Sequence, residues 1–260
     1  MTKPRTIALT GGSSGIGAAV IDRLHAAGCL IFNLDRVPST RPGVMELDCD
    51  ISKPHTIDAA ITQLPDELDA LISVAGVAPG IVDDETLIAI NFLGMRHLIE
   101  GVLPRVIDKG SVVIVASSAG RDWRDEPRVQ DLLDTGDFDD GSAWVRENAD
   151  AGQANAYKFS KQCAAAYTYR AAGIGRDRSV RFNCVNPGIV ETALSPHFQN
   201  MLGADRYDRI IAASKRAGTP QDVAEVIEYL AIGHCQWLNG VELTVDGGYY
   251  AGIVGGWIEA

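Results

Sequence analysis

Basic residues are scarce in this chain. Lysine and arginine number 23 against 34 aspartates and glutamates, a formal net charge of −11 over 260 residues. A field of that sign repels phosphate backbones and anionic membrane surfaces, so neither nucleic acid nor a membrane is an expected partner. Long apolar runs are missing too, and none approaches the ~20 residues that cross a bilayer. The opening "MTKPRTIALTGG" lacks the apolar core and cleavage site of a secretory leader. The five cysteines (29, 49, 163, 184 and 235) are scattered and include no C-x-x-C, which argues against a disulfide framework or a zinc site. A reduced, cytoplasmic setting follows. The five histidines (25, 55, 97, 197 and 234) show no metal-ligand spacing, and only His197 falls near the expected substrate end. No repeat, low-complexity tract or linker divides the chain, which reads as one domain over 1–260.

What is present is a succession of short apolar runs. They are "TIALT" (6–10), "CLIFNL" (29–34), the weaker "VMEL" (44–47), "ALISV" (70–74), "SVVIVAS" (111–117), "VRFNCVN" (180–186) and "VELTV" (241–245). Most are rich in valine and isoleucine without strict alternation, the signature of strands buried on both faces. Helical patterning lies between them, at 15–27, 56–64, 153–173 and 220–231. The alternation predicts an α/β fold, a parallel sheet of about seven strands with helices on both faces.

"LTGGSSGIGAAV" (9–20) follows the first strand and opens the first helix. Gly11, Gly15 and Gly17 let the backbone turn tightly and approach a pyrophosphate at the helix N-terminus. The spacing G-x-x-x-G-x-G departs from the usual dinucleotide fingerprint, but its place between strand and helix supports that role. The second strand ends in "NLDR", which sets Asp35 18 residues beyond Gly17. A carboxylate at that offset binds the adenine-ribose hydroxyls and repels a 2′-phosphate, favouring NAD. Arg36 beside it pulls toward NADP, yet no basic residue in "GGSSGIG" assists it.

"NAYKFSK" (155–161) puts Tyr157 and Lys161 four positions apart, on one face of a helix. This pair is either an ordinary contact on an exposed face or a catalytic couple. In the second case the ammonium lowers the phenol's pKa until it can serve as a base.

"TGGSSGIG", "VAG" (74–76), "INFLG" (90–94), "VASS" (115–118), "YKFSK" (157–161), "NPGIVET" (186–192) and "VDGG" (245–248) occur in the order found in classical short-chain dehydrogenases/reductases. The resemblance covers essentially the whole chain. Within the family it points to the group of coniferyl-alcohol dehydrogenase and bacterial 3α-hydroxysteroid dehydrogenase/carbonyl reductase. It implies a Rossmann-type, doubly wound fold and an alcohol dehydrogenase or carbonyl reductase using NAD. Tyr157 would be the acid/base, Lys161 would tune it and hold the nicotinamide ribose, and Asn91 would hold a water leading to Lys161. Ser118 would hydrogen-bond the substrate oxygen; it is preferred to Ser117 as the second serine of the family's pair.

By the same resemblance, Ser13, Ser14 and Ile16 join the three glycines, Asp35 and Arg36 around the cofactor. Asp50 and Ile51 flank the adenine, and Ala75 and Gly76 line the groove. Pro187, Gly188, Ile189 and Thr192 hold the nicotinamide. The family's N-N-A-G reads "SVAG" here. Two other function classes remain open: a non-catalytic NAD(H)-binding sensor or scaffold, and an NADPH-linked ketoacyl-type reductase.

The segment 192–216 matches the family's substrate lid. Leu194, Phe198, Met201 and Leu202 fall at helical spacing in it, a stripe facing either the core or the pocket. The expected substrate is a neutral, hydrophobic alcohol or carbonyl: no arginine is obviously placed to clamp a substrate carboxylate, although Arg121, Arg124 and Arg206 are candidates to reach it. An acidic excursion, 121–152, separates Ser118 from Tyr157 and suggests two short helices near 126–134 and 142–149, the second capped by Ser142. With Val129, Leu132, Leu133, Trp144 and Val145 as contacts, it would cover the tyrosine helix and leave a homodimer, not a tetramer. Alternatively, Trp123 or Trp144 would wall the substrate pocket.

Overall fold

The computed structural model describes residues 3–148 and 155–258. In chain order the elements are β1 (Thr6–Thr10), α1 (Gly15–Ala26), β2 (Leu30–Asp35), β3 (Val44–Asp48), α2 (Pro54–Thr62), β4 (Leu68–Ser73), α3 (Asp84–Ile88), α4 (Gly94–Val102) and β5 (Val106–Val115). Then come α5 (Arg128–Leu133), α6 (Phe138–Glu147), α7 (Ala156–Ile174), β6 (Arg181–Pro187), α8 (Ser195–Leu202), α9 (Ala204–Ala213), α10 (Pro220–Ile232), β7 (Val241–Val245) and α11 (Tyr249–Gly255). The strands form one parallel sheet in the order β3-β2-β1-β4-β5-β6-β7. Strand order reverses between β1 and β4, and a crevice opens there outside the carboxyl ends.

Both faces of the sheet are covered. Val20, Ile21 and Leu24 of α1 and Val223, Ile227 and Leu230 of α10 pack on one face. On the other, α2, α4 and α7 contribute Ile57, Leu98, Ile99, Cys163 and Tyr167. Each such side chain, fully buried, stabilises the fold by ~1.5–3 kcal/mol. Helix α10 begins with a reciprocal cap: Thr219 accepts from the Asp222 amide, and Asp222 accepts from the Thr219 amide at 2.7 Å.

A π-helical stretch, Ala89–Leu93, joins α3 to α4. The run Asp84–Arg105 is long and apolar enough by length and composition to cross a membrane, against the reading that no run comes close. It is mostly buried here, as the central helix on one face of the sheet.

The excursion docks on α4 and α7. Val129, Leu132, Leu133 and Val145 are buried in the core against Phe159 and Cys163, and Trp144 stacks on Phe159 with ring centroids 6.1 Å apart. Neither Trp123 nor Trp144 lines the cleft at the sheet's carboxyl end. Trp123 instead donates its indole N–H to Glu242 at 3.0 Å. The second helix starts at Phe138 and is capped by Asp137, which accepts from the Asp140 amide. Ser142 therefore lies inside the helix and caps nothing. Arg96 of α4, only 3% exposed, anchors the segment by donating to the carbonyls of Leu132, Thr135 and Asp137. Residues 149–152, the expected end of the excursion, and the start of the expected helix at 153 lie outside the described residues.

Candidate active site

A cleft of about 1610 Å³ runs across the carboxyl ends of the strands. All the cofactor positions named from the sequence line it, from Gly11 in the first turn to Thr192 beyond β6.

The glycine-rich turn is built by close approach. Gly11 has φ +72°, and a Cβ there would come within 2.7 Å of the Ala75 backbone. A Cβ on Gly17 would strike the Gly11 carbonyl at 2.1 Å. Asp35 fixes this turn to the end of β2, its carboxylate accepting from the amides of Ser13 at 3.2 Å and Val37 at 3.3 Å. Buried Asn33 helps by accepting from the Gly12 amide at 3.0 Å. Opposite, the "SVAG" turn lacks the family's asparagines. The Thr10 hydroxyl takes over, accepting from the amides of Val74 and Ala75, each at 3.1 Å. At the other end of the groove, Gly15 faces Thr192, whose Cγ2 would lie 3.4 Å from a Cβ on the glycine. These surfaces form a narrow backbone cradle that side chains would fill, and it fits a dinucleotide.

Helix α7 carries Tyr157 and Lys161 into this cleft. They are 8% and 5% exposed, which eliminates the exposed-face reading. Ser117 is the last extended residue after β5, with φ −171°, and Ser118 begins a 3-10 turn. Ser117 acts on the Tyr157 phenol, lowering its pKa against the effect of burial. Ser118, the residue expected from the sequence, lines the cleft, and so does Ser117.

Burial pushes Tyr157 up to about 12, partly offset by Ser117. Burial pushes Lys161 down to about 8. Desolvation by the chain's own groups thus outweighs the expected lowering of the phenol. Lys161 Nζ lies 5.8 Å from the Tyr157 ring centroid and donates to the Val115 carbonyl at 3.3 Å.

Asn91 sits behind the cleft in the π-helical stretch, 2% exposed. Its Oδ1 accepts from the Val77 amide at 2.8 Å, and its Nδ2 donates to the Val77 carbonyl and Ser160 Oγ. Both amide protons are thus committed. What remains for a water is one Oδ1 lone pair and the residue's own carbonyl in the irregular helix. A Cβ on Gly76 would come within 3.0 Å of Asn91 Oδ1 and 3.4 Å of Lys161 Nζ, so this glycine keeps the path between them open.

At the substrate end, Leu194, Phe198, Met201 and Leu202 line the cleft, giving the lid stripe its pocket-facing role. Phe198 meets the Tyr157 ring edge-on. Met201 Sδ lies 3.0 Å from Nδ2 of Asn155, the residue that caps α7. Arg121 and Arg206 line the cleft; Arg124 and His197 do not. Sequence reasoning missed Asp122 and Lys158, an ion pair at 2.7 Å inside the cleft. No spacing signal joins them, since the excursion brings Asp122 back onto α7.

Comparison with known proteins agrees with this geometry. Residues 5–126 match the family model described as short chain dehydrogenase. Residues 143–250 match the one described as enoyl-(acyl carrier protein) reductase. The chain is 35% identical over 247 residues to coniferyl-alcohol dehydrogenase of a Pseudomonas species, covering 94% of this chain and 96% of the relative. It is 26% identical over 250 residues to 3-alpha-hydroxysteroid dehydrogenase/carbonyl reductase of Comamonas testosteroni, covering 93% and 95%. Among solved structures, the 3-alpha-hydroxysteroid dehydrogenase from Pseudomonas sp. B-0831 complexed with NADH superposes with a TM-score of 0.78. That pair is 28% identical and covers 98% of this chain and all of the other.

Proposed function

The chain belongs to the short-chain dehydrogenase/reductase family of nicotinamide-dependent oxidoreductases, and from that premise we propose that it interconverts a hydrophobic aryl or allylic alcohol, or a hydroxysteroid, with its carbonyl, using NAD. The observation that carries this reading is the buried pair of Tyr157 and Lys161 facing the cleft, with half-buried Ser117 beside the phenol and Asn91 behind. A sensor or scaffold needs no desolvated phenol beside a serine. The coniferyl-alcohol and hydroxysteroid relatives support the substrate class. The carboxylate of Asp35 at the turn supports NAD and argues against the NADPH-linked ketoacyl reductase.

In this reading Ser117 donates to the substrate oxygen and stabilises charge developing there. Tyr157 removes the hydroxyl proton during oxidation and returns it during reduction. The cofactor, when bound, supplies the hydride acceptor or donor and a positive ring beside the phenol. Lys161 holds the ribose and passes the proton on toward Asn91. Phe198, Met201 and Leu202 exclude water. Pro187, Gly188, Ile189 and Thr192 orient the nicotinamide. The working form is a cytoplasmic homodimer, with the excursion covering α7 and the edge strand β7 free to pair.

A panel of aryl alcohols and hydroxysteroids assayed for NADH formation tests this function. Turnover of at least one class, abolished by Tyr157→Phe, is the expected result. Nucleotide binding without turnover of any panel member would leave the sensor reading standing.

A further inference from the structure

Arg121 is the first residue of the excursion and follows the turn that carries Ser117. Its Nη1 donates to the Ser118 carbonyl at 3.1 Å. The guanidinium lies 4.4 Å over the ring of Tyr250 in α11. The arginine thus links the catalytic turn to the C-terminal helix; Arg121 lines the cleft, and Tyr250 lies outside its lining.

Two cations of the cleft are neutralised by carboxylates, while Arg36, Arg206 and Arg209, like Arg121, line it without a carboxylate partner among the described residues. Lys158 pairs with Asp122 at 2.7 Å and Arg216 with Asp222 at 2.6 Å. Arg121 has no carboxylate partner among the described residues. A guanidinium carries five N–H donors, and among the described residues only one of its nitrogens has a hydrogen-bond acceptor. Stacking on Tyr250 fixes the plane of the fork, so little further ordering is needed to present it. The walls nearby are apolar, with Phe198, Met201, Leu202, Ile253 and Ile258.

We propose that Arg121 is a specificity-determining residue that binds an oxygen on the ring of an aromatic alcohol, at the end remote from the reacting carbon. This rests on the alcohol dehydrogenase reading and deepens it: the substrate body is apolar, but its far end carries a carboxylate or a phenolic oxygen. A charge-assisted hydrogen bond to such an oxygen is worth more than a neutral one. An apolar substituent at that position would leave the guanidinium facing nothing.

Three alcohols test the assignment: 4-(hydroxymethyl)benzoate, 4-hydroxybenzyl alcohol and 4-methylbenzyl alcohol. The readout is the ratio of kcat/KM for each oxygenated alcohol to that for the methyl compound. The wild-type ratio should reach about tenfold or more for at least one of them. Which one wins identifies the oxygen as carboxylate or phenol. Arg121→Met should bring that ratio close to one. Arg121→Lys keeps the charge but loses the planar fork, and should retain only part of it. A variant that lowers all three alcohols together at an unchanged ratio makes Arg121 structural and overturns the proposal, as does a wild type with no preference. Calorimetric binding of the same three compounds to the NADH-loaded protein separates the two readings. Binding ranked by the ring oxygen without turnover keeps the Arg121 assignment and overturns the dehydrogenase. Turnover without ranking does the reverse.

Discussion

Tyr157 and Phe198 meet edge to face, their ring centroids 5.1 Å apart and their planes 65° to each other. This contact ties the catalytic helix to the first helix of the lid. An aromatic pair of this kind is worth ~0.5–1.5 kcal/mol beyond area burial. Phe198→Ala should therefore cut kcat/KM for an apolar alcohol by about three- to tenfold, mainly by raising KM. Steady-state kinetics decide it; an unchanged KM would mean that the lid closes without this contact.

Removing the proton acceptor should be far more costly. Tyr157→Phe keeps the ring and the Phe198 contact, yet turnover should fall by ~10²–10⁴-fold, with NADH binding retained. Ser117→Ala should lower kcat by about 10–10³-fold, and Ser118→Ala by much less. The reverse order would make Ser118 the donor. Alcohol oxidation should also rise with pH, because burial holds the phenol up near about 12 and the base must lose its proton to act. Tyr157→Phe should flatten that rise.

Cofactor choice turns on Asp35. Its carboxylate would meet the ribose hydroxyls and repel a 2′-phosphate, while Arg36 beside it lines the same cleft. Asp35→Ala should shift the ratio of kcat/KM for NAD over NADP by about tenfold toward NADP. A wild-type preference for NADP would mean that Arg36 outweighs the carboxylate.

Lys161 should trade stability for function. Its pKa is depressed from 10.5 to about 8 by burial. Above 10.5 the amine is neutral in both folded and unfolded chains and carries no penalty. As pH falls through the window from 10.5 to 8, the unfolded chain takes up the proton first, so stability is lost; below 8 the full penalty remains. Lys161→Met should therefore raise stability at pH 7 by about 1–3 kcal/mol and abolish activity. The gain should vanish near pH 10.5. Thermal melts across that range supply the test, and a destabilised variant at pH 7 would mean that the bond to Val115 outweighs desolvation.

Arg96→Met should loosen the excursion by stranding the carbonyls of Leu132, Thr135 and Asp137, at a cost of about 2–4 kcal/mol. Light scattering on the wild type should report a dimer. A tetramer would mean that the excursion does not mask the face it covers. The variant should associate further or aggregate as apolar surface is uncovered.

Much of this architecture is legible in the chain because buried parallel strands leave continuous runs of valine and isoleucine. "TIALT" and "VELTV" match β1 and β7 residue for residue. The ends of β4 and β5 were harder to read, since a strand buried on both faces has no alternation to mark where it stops. The helices spanning 84–102 are not among the segments read from the sequence. Arg96 and Arg121 look in sequence like any surface arginine. Their roles exist only once the excursion has folded back over α4 and the C-terminal helix has reached the cleft.

The way Arg96 holds the excursion also governs how that segment opens. Its acceptors span residues 132–137, between α5 and α6, and all converge on one buried guanidinium. Releasing any one of them while the others hold leaves the arginine partly unsatisfied in a dry environment, so piecemeal fraying is disfavoured. The amides of α5 and α6 should then exchange with solvent together, at a single rate slower than short helices show alone. Residues 128–147 should then behave as one cooperative unit clasped to the Rossmann body, detaching together.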